Sequence, residues 1–384
     1  MPITIAAMPV TIAAMPCGMV CAMSSNAEVS RRHLDAIRHA WEDFGDERRI
    51  ADIVELSAMV STNRVYRLVL NDSSAIIAKS SNYGSFFLFA EDHDRLHRCT
   101  RLLSGGPYED FMAGMLTTED RPYIFYDGEM WVVFYTEVEV RDRLPAILSD
   151  AQVDNLAAEI ARFHRATHSV ARLLPPTSKT VTSDAVNLFE MTASRRAGEE
   201  LGLDPSRLDL VRRHTHRFLM AVHESGYDYW PKMPVLIDWN LGNFSVEADS
   251  TMPGGDGFRL FSRWDYDWFR IETRLLDFYF LSRVSSRTGD RTTFTYGVHT
   301  LFEPRFRRFL RAYHAVFPLA EREVLFLKEA YRFFLLNYVV REGRHFFRED
   351  IWRHLLRDVV DRHLPDLDRY DFSSLLVEVE TDEE

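Results

Sequence analysis

Two lobes of α+β character are what this sequence predicts, and three observations carry that reading. Runs of β-type residues crowd the first third of the chain, and helical periodicity dominates after Glu139. One β-rich island, Val235 to Val246 and then Phe258 to Trp264, interrupts the helical part. With 384 residues, 46% of them hydrophobic, the chain is long enough to bury more than one small core. The expected divisions are a flexible leader over 1–27, a first lobe over 28–137 and a larger helical lobe over 138–384.

The leader repeats itself: Pro2 to Met8 is followed by the near-copy Pro9 to Met15, and prolines at that period forbid a continuous helix. Met23 offers an alternative start. Asn26 or Ser30 then caps an expected helix to about Phe44, with Leu34, Ile37, Ala40 and Trp41 on one stripe. Strands are expected over 53–60, 64–70 and 74–79, the last two joined by the turn Asn71-Asp72-Ser73-Ser74. A helix over 86–103 precedes two more strands, 123–126 and 130–136, joined through Asp127-Gly128. Helices are expected over 150–169 and 206–225, and in several pieces over 304–364.

Lys+Arg 46 against Asp+Glu 58 leaves a net charge of −12, which argues against a nucleic-acid or anionic-membrane surface. Three cysteines, Cys17, Cys21 and Cys99, build neither a disulfide framework nor a four-thiolate metal site. No apolar run reaches the ~18 residues of a membrane span, and no basic residue precedes the apolar start, so a cytoplasmic protein is expected.

Lysine is scarce: only Lys79, Lys179, Lys232 and Lys328 occur. Lys79 ends the apolar run Ala75-Ile-Ile-Ala, where an ammonium can hold phosphate oxygens, although a strand-end lysine also simply reaches water. The stronger signal is Val235-Leu-Ile-Asp238-Trp-Asn240-Leu-Gly242-Asn243, a polar loop between apolar runs. Phosphoryl transfer needs such a loop, with a carboxylate to align the attacking hydroxyl and an oxygen ligand for magnesium. Asp265, at the end of the run Phe258 to Trp264, adds a second hard-oxygen ligand. Taken singly, each of these polar residues also suits an ordinary turn.

The ordered set Lys79, Asp238, Asn243, Asp265 and Asp277 resembles the aminoglycoside phosphotransferase/choline kinase-like superfamily, which has a protein-kinase-like fold. Leu236 to Asn243 matches the family's catalytic loop, with Leu236 where the family usually has histidine. Trp264-Asp-Tyr-Asp267 and Leu275-Leu-Asp277 match its second metal motif, and Leu156 to His164 its helix ending in Leu-His. The resemblance implies a small antiparallel-sheet N-lobe, a mainly helical C-lobe, and an ATP- and Mg2+-dependent kinase acting on a small-molecule hydroxyl. It implies that Lys79 touches the α- and β-phosphates, with Glu91 as its acidic partner and Asp92 and Asp94 as rivals. Ser61 and Thr62 offer donors to phosphate, and the backbone at Glu137 and Val138 receives the adenine. Asp238 is then the catalytic base, Asn243 and Asp265 the metal ligands, Asp267 a further ligand, and Asp277 a brace for the loop.

A nucleotide-binding pseudokinase with a scaffolding role is the alternative, but such proteins typically lose the lysine, the base or a metal ligand. The short interval between Asp265 and Asp277 leaves little room for an activation segment of the kind protein-directed kinases carry. Tyr227, Tyr229, Trp230, Trp264, Tyr266 and Trp268 are either core or the ring faces of a pocket for a cationic acceptor. His214 and His216, at i and i+2, point about 200° apart on a helix and cannot clasp one ion. The acidic tail Val377 to Glu384 reads as a solvated end.

Overall fold

The computed structural model describes residues 19–57, 63–249, 257–290 and 296–379, and side chains from residue 30 onward. The leader repeat, Cys17, and the phosphate-loop candidates Ser61 and Thr62 lie outside the described residues. The fold is α+β. The chain divides into a sheet unit (residues to 97, 114–137 and 345–348) and a helical unit (98–113, 138–344 and from 349).

In the sheet unit, helix α1 (Met19–Phe44) precedes β1 (Ile50–Glu55), β2 (Arg64–Leu70), β3 (Ala75–Ser81) and helix α2 (Phe86–Leu102), which ends in the helical unit. Two short pieces, β4 (Thr117–Thr118) and β5 (Arg121–Pro122), lead to β6 (Ile124–Tyr126) and β7 (Trp131–Thr136). The sheet is antiparallel throughout, in the order β1-β2-β3-β7-β6. Its turns are built as their residues require. Ser73 takes φ 70° while the Asp72 carboxylate accepts the Ser74 N–H at 2.9 Å, and Gly128 takes φ 101° beside an Asp127 that accepts the N–H groups of Glu129 and Met130. One face is the core, where Ile37, Ala40 and Trp41 of α1 meet Tyr66, Leu68, Ile76, Ala78 and Phe134. Trp41 stands edge-on to Phe134 at 5.2 Å.

Two boundaries differ from expectation. α1 already runs from Met19, upstream of Asn26 and Ser30. β1 starts at Ile50 and ends at Glu55, because Ile50 and Ile53 are the residues that pack on the core, with a bulge between Ile50 and Asp52.

The helical unit opens with α3 (Asp150–Val170), fixed by a reciprocal cap between Ser149 and Gln152. α4 (Val181–Ala193), α5 (Ala197–Leu201) and α6 (Pro205–Glu224) follow, and the first two were not anticipated. The β island is two separate ladders: β8 (Met233–Val235) with β11 (Arg270–Glu272), and β9 (Phe244–Ala248) with β10 (Phe258–Arg263). The remainder is α7 (Phe278–Ser285), α8 (Pro304–Val316), α9 (Glu321–Phe334), α10 (Gly343–Phe346), α11 (Glu349–Asp358) and α12 (Leu364–Leu367). The apolar stripe of α3, which includes Val153, Leu156, Ile160 and His164, packs along α8, and Arg308 joins them by gripping Asp154. Asp184, buried, is paired as burial demands: it takes Arg270 and Arg341, each at 2.6 Å.

Of the acidic tail, residues 380–384 lie outside the described residues, and Glu378 departs from the expected solvation. Glu378 is buried and accepts hydrogen bonds from Arg307 and Arg311, both on α8. No described helix is long and apolar enough to cross a membrane.

Candidate active site

The two β ladders of the helical unit hold one loop between them. β8 ends at Val235, and residues 236–243 run from there to the start of β9. Ile237 sits at φ 60°, a conformation that β-branched residues avoid. Something must hold it there, and Asp277 does. Its fully buried carboxylate accepts from the Ile237 N–H at 2.7 Å, from the Trp239 indole N–H at 2.7 Å and from His164 Nε2 at 2.8 Å. An ionised carboxylate only accepts, so Nε2 carries the His164 proton and the Tyr313 hydroxyl donates to Nδ1 at 2.8 Å. Leu236 is wholly buried and apolar and offers the turn no hydrogen bond from its side chain, so the turn is held through Asp277, with Trp239 and His164.

The braced turn presents Asp238. Burial, then the neighbouring charge of Asp265, pushes its carboxyl up to about 6, while Arg263, the Asn240 N–H and Arg283 pull the other way. Asn243 closes the loop by donating Nδ2 to the Asp238 carbonyl at 3.3 Å, which leaves its carboxamide oxygen on the other side. The β9–β10 ladder ends with Phe244 opposite Arg263, and the Trp264 N–H continues it to the Asn243 carbonyl at 3.2 Å. That register carries Asp265 to the same end of the ladder as Asn243. The Asp265 carboxylate accepts the Asp267 N–H at 3.2 Å, which brings Asp267 to the same turn.

Two supports were not anticipated. Arg263, fully buried, donates to the carbonyls of Asp238 at 2.7 Å and Asp265 at 3.0 Å, tying the 236–243 loop to the turn at Asp265. Its only sequence signal is a charge ending an apolar strand. Asp290 accepts the Leu241 N–H at 2.6 Å and so caps the turn 241–243. An isolated aspartate far downstream gave no signal at all.

In the sheet unit, Lys79 lies on β3 between Val65 and Val133, only 8% exposed. Glu91, Asp92 and Asp94 follow one another on α2, and Arg95 pairs with Glu91 at 3.1 Å and Asp94 at 3.2 Å. Glu137 follows β7, and Arg67 of β2 holds its carboxylate, one contact being 3.0 Å. Val138 is half-buried and begins the helical unit, and the segment after it pairs through Asp142 with Val246.

Most of the rings considered for a cationic acceptor are engaged by other residues of the chain. Tyr227 carries the Lys232 ammonium 3.2 Å from its centroid, Trp230 carries Arg322 at 5.3 Å, and Trp264 carries Arg143 at 5.3 Å. Tyr266 is buried and bonded to the Arg263 carbonyl, and Tyr229 is 94% exposed. The protein's own cations already occupy the useful faces.

The donor set suits a hard divalent cation. Asp265 and Asp267 offer carboxylates and Asn243 a free-standing carboxamide oxygen, and the mutual repulsion of Asp238 and Asp265 marks a negative site. Among the described residues, no three His, Cys, Asp or Glu side chains form a cage of their own. Magnesium at such a site takes the rest of its shell from phosphates and water.

No family model matches this chain, and no curated protein does. Solved structures do. An amicoumacin kinase, hAmiN, in complex with AMP-PNP, Ca2+ and Ami, matches at TM-score 0.58 and 13% identity, over 91% of this chain and 99% of that one. A microcompartment-associated aminopropanol kinase matches at 0.54 and 14% identity, over 90% of this chain and 99% of that one. An aminoglycoside 2'-phosphotransferase-IIIa variant in its GDP complex matches at 0.51 and 15% identity, over 89% and 99%. These likenesses show the fold: it is the α+β, kinase-like fold that these three structures share.

Proposed function

We propose that this chain is an ATP- and Mg2+-dependent phosphotransferase that moves the γ-phosphoryl group of ATP to a hydroxyl of a small molecule, an antibiotic or a metabolite. The carrying observation is the strained loop at Ile237, which presents Asp238 beside Asn243 and Asp265 in a fold shared with small-molecule kinases. Asp238 aligns the acceptor hydroxyl and takes its proton as the new O–P bond forms and the β,γ-bridging bond breaks, releasing ADP. Asn243 and Asp265, with Asp267 as a further ligand, hold the magnesium, which neutralises phosphate charge when bound. In this reading Lys79 contacts the α- and β-phosphates and Glu91 orients it. Ser61 and Thr62 supply further phosphate donors, and the backbone of Glu137 and Val138 receives the adenine.

Asp238→Asn tests the reading. ADP release measured over a panel of hydroxylated acceptors is expected to fall about a thousandfold, while ATP with magnesium still raises the melting temperature. Asp265→Asn is expected to lose the magnesium-dependent part of that rise. Undiminished turnover by Asp238→Asn removes the base assignment, and nucleotide binding without phosphate transfer in the unaltered protein points to the scaffolding alternative.

A further inference from the structure

Beside Asp238 the helical unit buries a cation that it does not pair. Arg283 lies on α7, 9% exposed, and its guanidinium makes no hydrogen bond or ion pair among the described residues. Other deeply buried arginines have protein acceptors: Arg270 has Asp184, Arg274 has Glu323, Arg332 has Glu329, and Arg263 has the carbonyls of Asp238 and Asp265. Arg283 has only ring faces, Phe280 at 5.1 Å and Tyr296 at 5.6 Å. None of its nitrogens is sealed from solvent, so a guanidinium with five donors and no protein acceptor stands ready for oxygens that enter beside it.

Its position says what brings them. The segment carrying Arg283 grips the catalytic loop at both ends, through Asp277 to the Ile237 N–H and through Asp290 to the Leu241 N–H. Arg283 lies between these two anchors. Its charge is felt at both Asp238 and Asp290, lowering each carboxyl against the burial that raises it. Two hydroxyls join it. Tyr279 is 3% exposed with its OH buried and unpartnered, and the OH of Tyr296 makes no hydrogen bond among the described residues. The Tyr279 and Tyr296 rings are 6.3 Å apart.

We infer that the acceptor alcohol carries an anionic group, a carboxylate or a phosphate ester, which the Arg283 guanidinium binds with help from the Tyr296 hydroxyl while the reacting hydroxyl meets Asp238. A planar guanidinium matches such an oxyanion with paired hydrogen bonds, and the ring faces of Phe280 and Tyr296 flank it. The inference rests on the phosphotransferase reading for the transfer step, but the binding pocket stands or falls on its own.

The full chain is therefore tested in two ways, with 4-hydroxybutyrate, its amide, 4-amino-1-butanol, glycerol 3-phosphate and glycerol as probes. Calorimetric binding to Asp238→Asn in the presence of a non-hydrolysable ATP analogue and magnesium reads the pocket without chemistry. Steady-state ADP release by the unaltered protein reads transfer. The carboxylate or the phosphate probe is expected to bind at least about tenfold more tightly than the neutral and cationic ones, and which of the two does so identifies the anion. Adding Arg283→Gln is expected to erase the preference, Arg283→Lys to keep part of it, and Tyr296→Phe to weaken it a few-fold. In turnover the Arg283→Gln loss falls on KM for the anionic probe. Equal losses with every probe, or a pH profile shifted alike for all, make Arg283 only a counter-charge for Asp238 and overturn the inference. Preference for the amine overturns it too, as does the absence of binding by both anions. Transfer confined to uncharged alcohols leaves the kinase reading intact and sinks the anionic pocket. Anion binding that depends on Arg283, without transfer to any probe, does the reverse.

Discussion

Replacing Asp277 by asparagine changes one oxygen to an amino group, and the structure fixes what that costs. Oδ1 accepts from the Ile237 N–H, and Oδ2 from Trp239 and His164. If the amide keeps its oxygen on Ile237, its NH2 faces the indole N–H of Trp239, which can only donate. His164 can exchange tautomers with Tyr313 and survive, but the indole cannot. If the amide flips, the Ile237 N–H is orphaned instead. Either way one buried donor loses its partner, at about 1–3 kcal/mol, and the surviving bonds lose their charge assistance, about 1 kcal/mol each. The expected loss is about 3–5 kcal/mol in urea unfolding of the helical unit followed by tryptophan fluorescence. The strain at Ile237, about 1–3 kcal/mol, is then no longer opposed, so the loop relaxes toward extended backbone and carries Asp238 with it. ADP release is expected to fall at least about a hundredfold. A variant within about 1 kcal/mol of the unaltered protein, with unchanged turnover, refutes this account of the loop.

Gly289 stands at φ 65°, where a Cβ would lie 2.0 Å from the Ala146 carbonyl oxygen, so Gly289→Ala is expected to cost at least about 3 kcal/mol in the same assay and to displace the Asp290 cap. His214 accepts from Arg332 as a neutral ring, and burial followed by that charge lowers its pKa to about 4. Its contribution is full above about pH 6.5 and is lost as the pH falls toward 4. Stability at pH 5 is therefore expected to drop about 2 kcal/mol through this residue, and His214→Gln to flatten that part of the profile. Glu378→Gln weakens the clasp on Arg307 and Arg311, with an expected loss of about 1 kcal/mol at low salt that shrinks in 1 M sodium chloride.

The sequence made the fold legible where local chemistry and periodicity agree. The turns at Asp72 and Asp127 and the helices α2, α3 and α6 stand close to their expected bounds, because caps, turn residues and apolar stripes are local features. The β island was read as short strands around a polar loop, and what stayed hidden is that its strands form two separate ladders and that Leu236 and Ile237 belong to the loop, buried by tertiary packing. Asp238, Asn243, Asp265 and Asp277 were visible through their order and spacing. Arg263, Asp290 and Arg283 were not, since each acts through a partner remote in sequence. Glu378 was hidden for the same reason: a charge run looks solvated until two arginines of α8 are found against it.

The Asp277 hub also sets the kinetics of exposure. One carboxylate ties the Ile237 amide to a histidine on α3, which packs along α8 and so belongs to the unit's interior. No small fluctuation frees that amide, because every route to solvent opens the interface behind it. In deuterium it is expected to exchange only through the largest opening that the helical unit undergoes, whereas an ordinary surface loop labels within seconds. A chaperone or protease would then meet this segment only on chains already unfolded, so damage to the site and loss of the unit would be a single event.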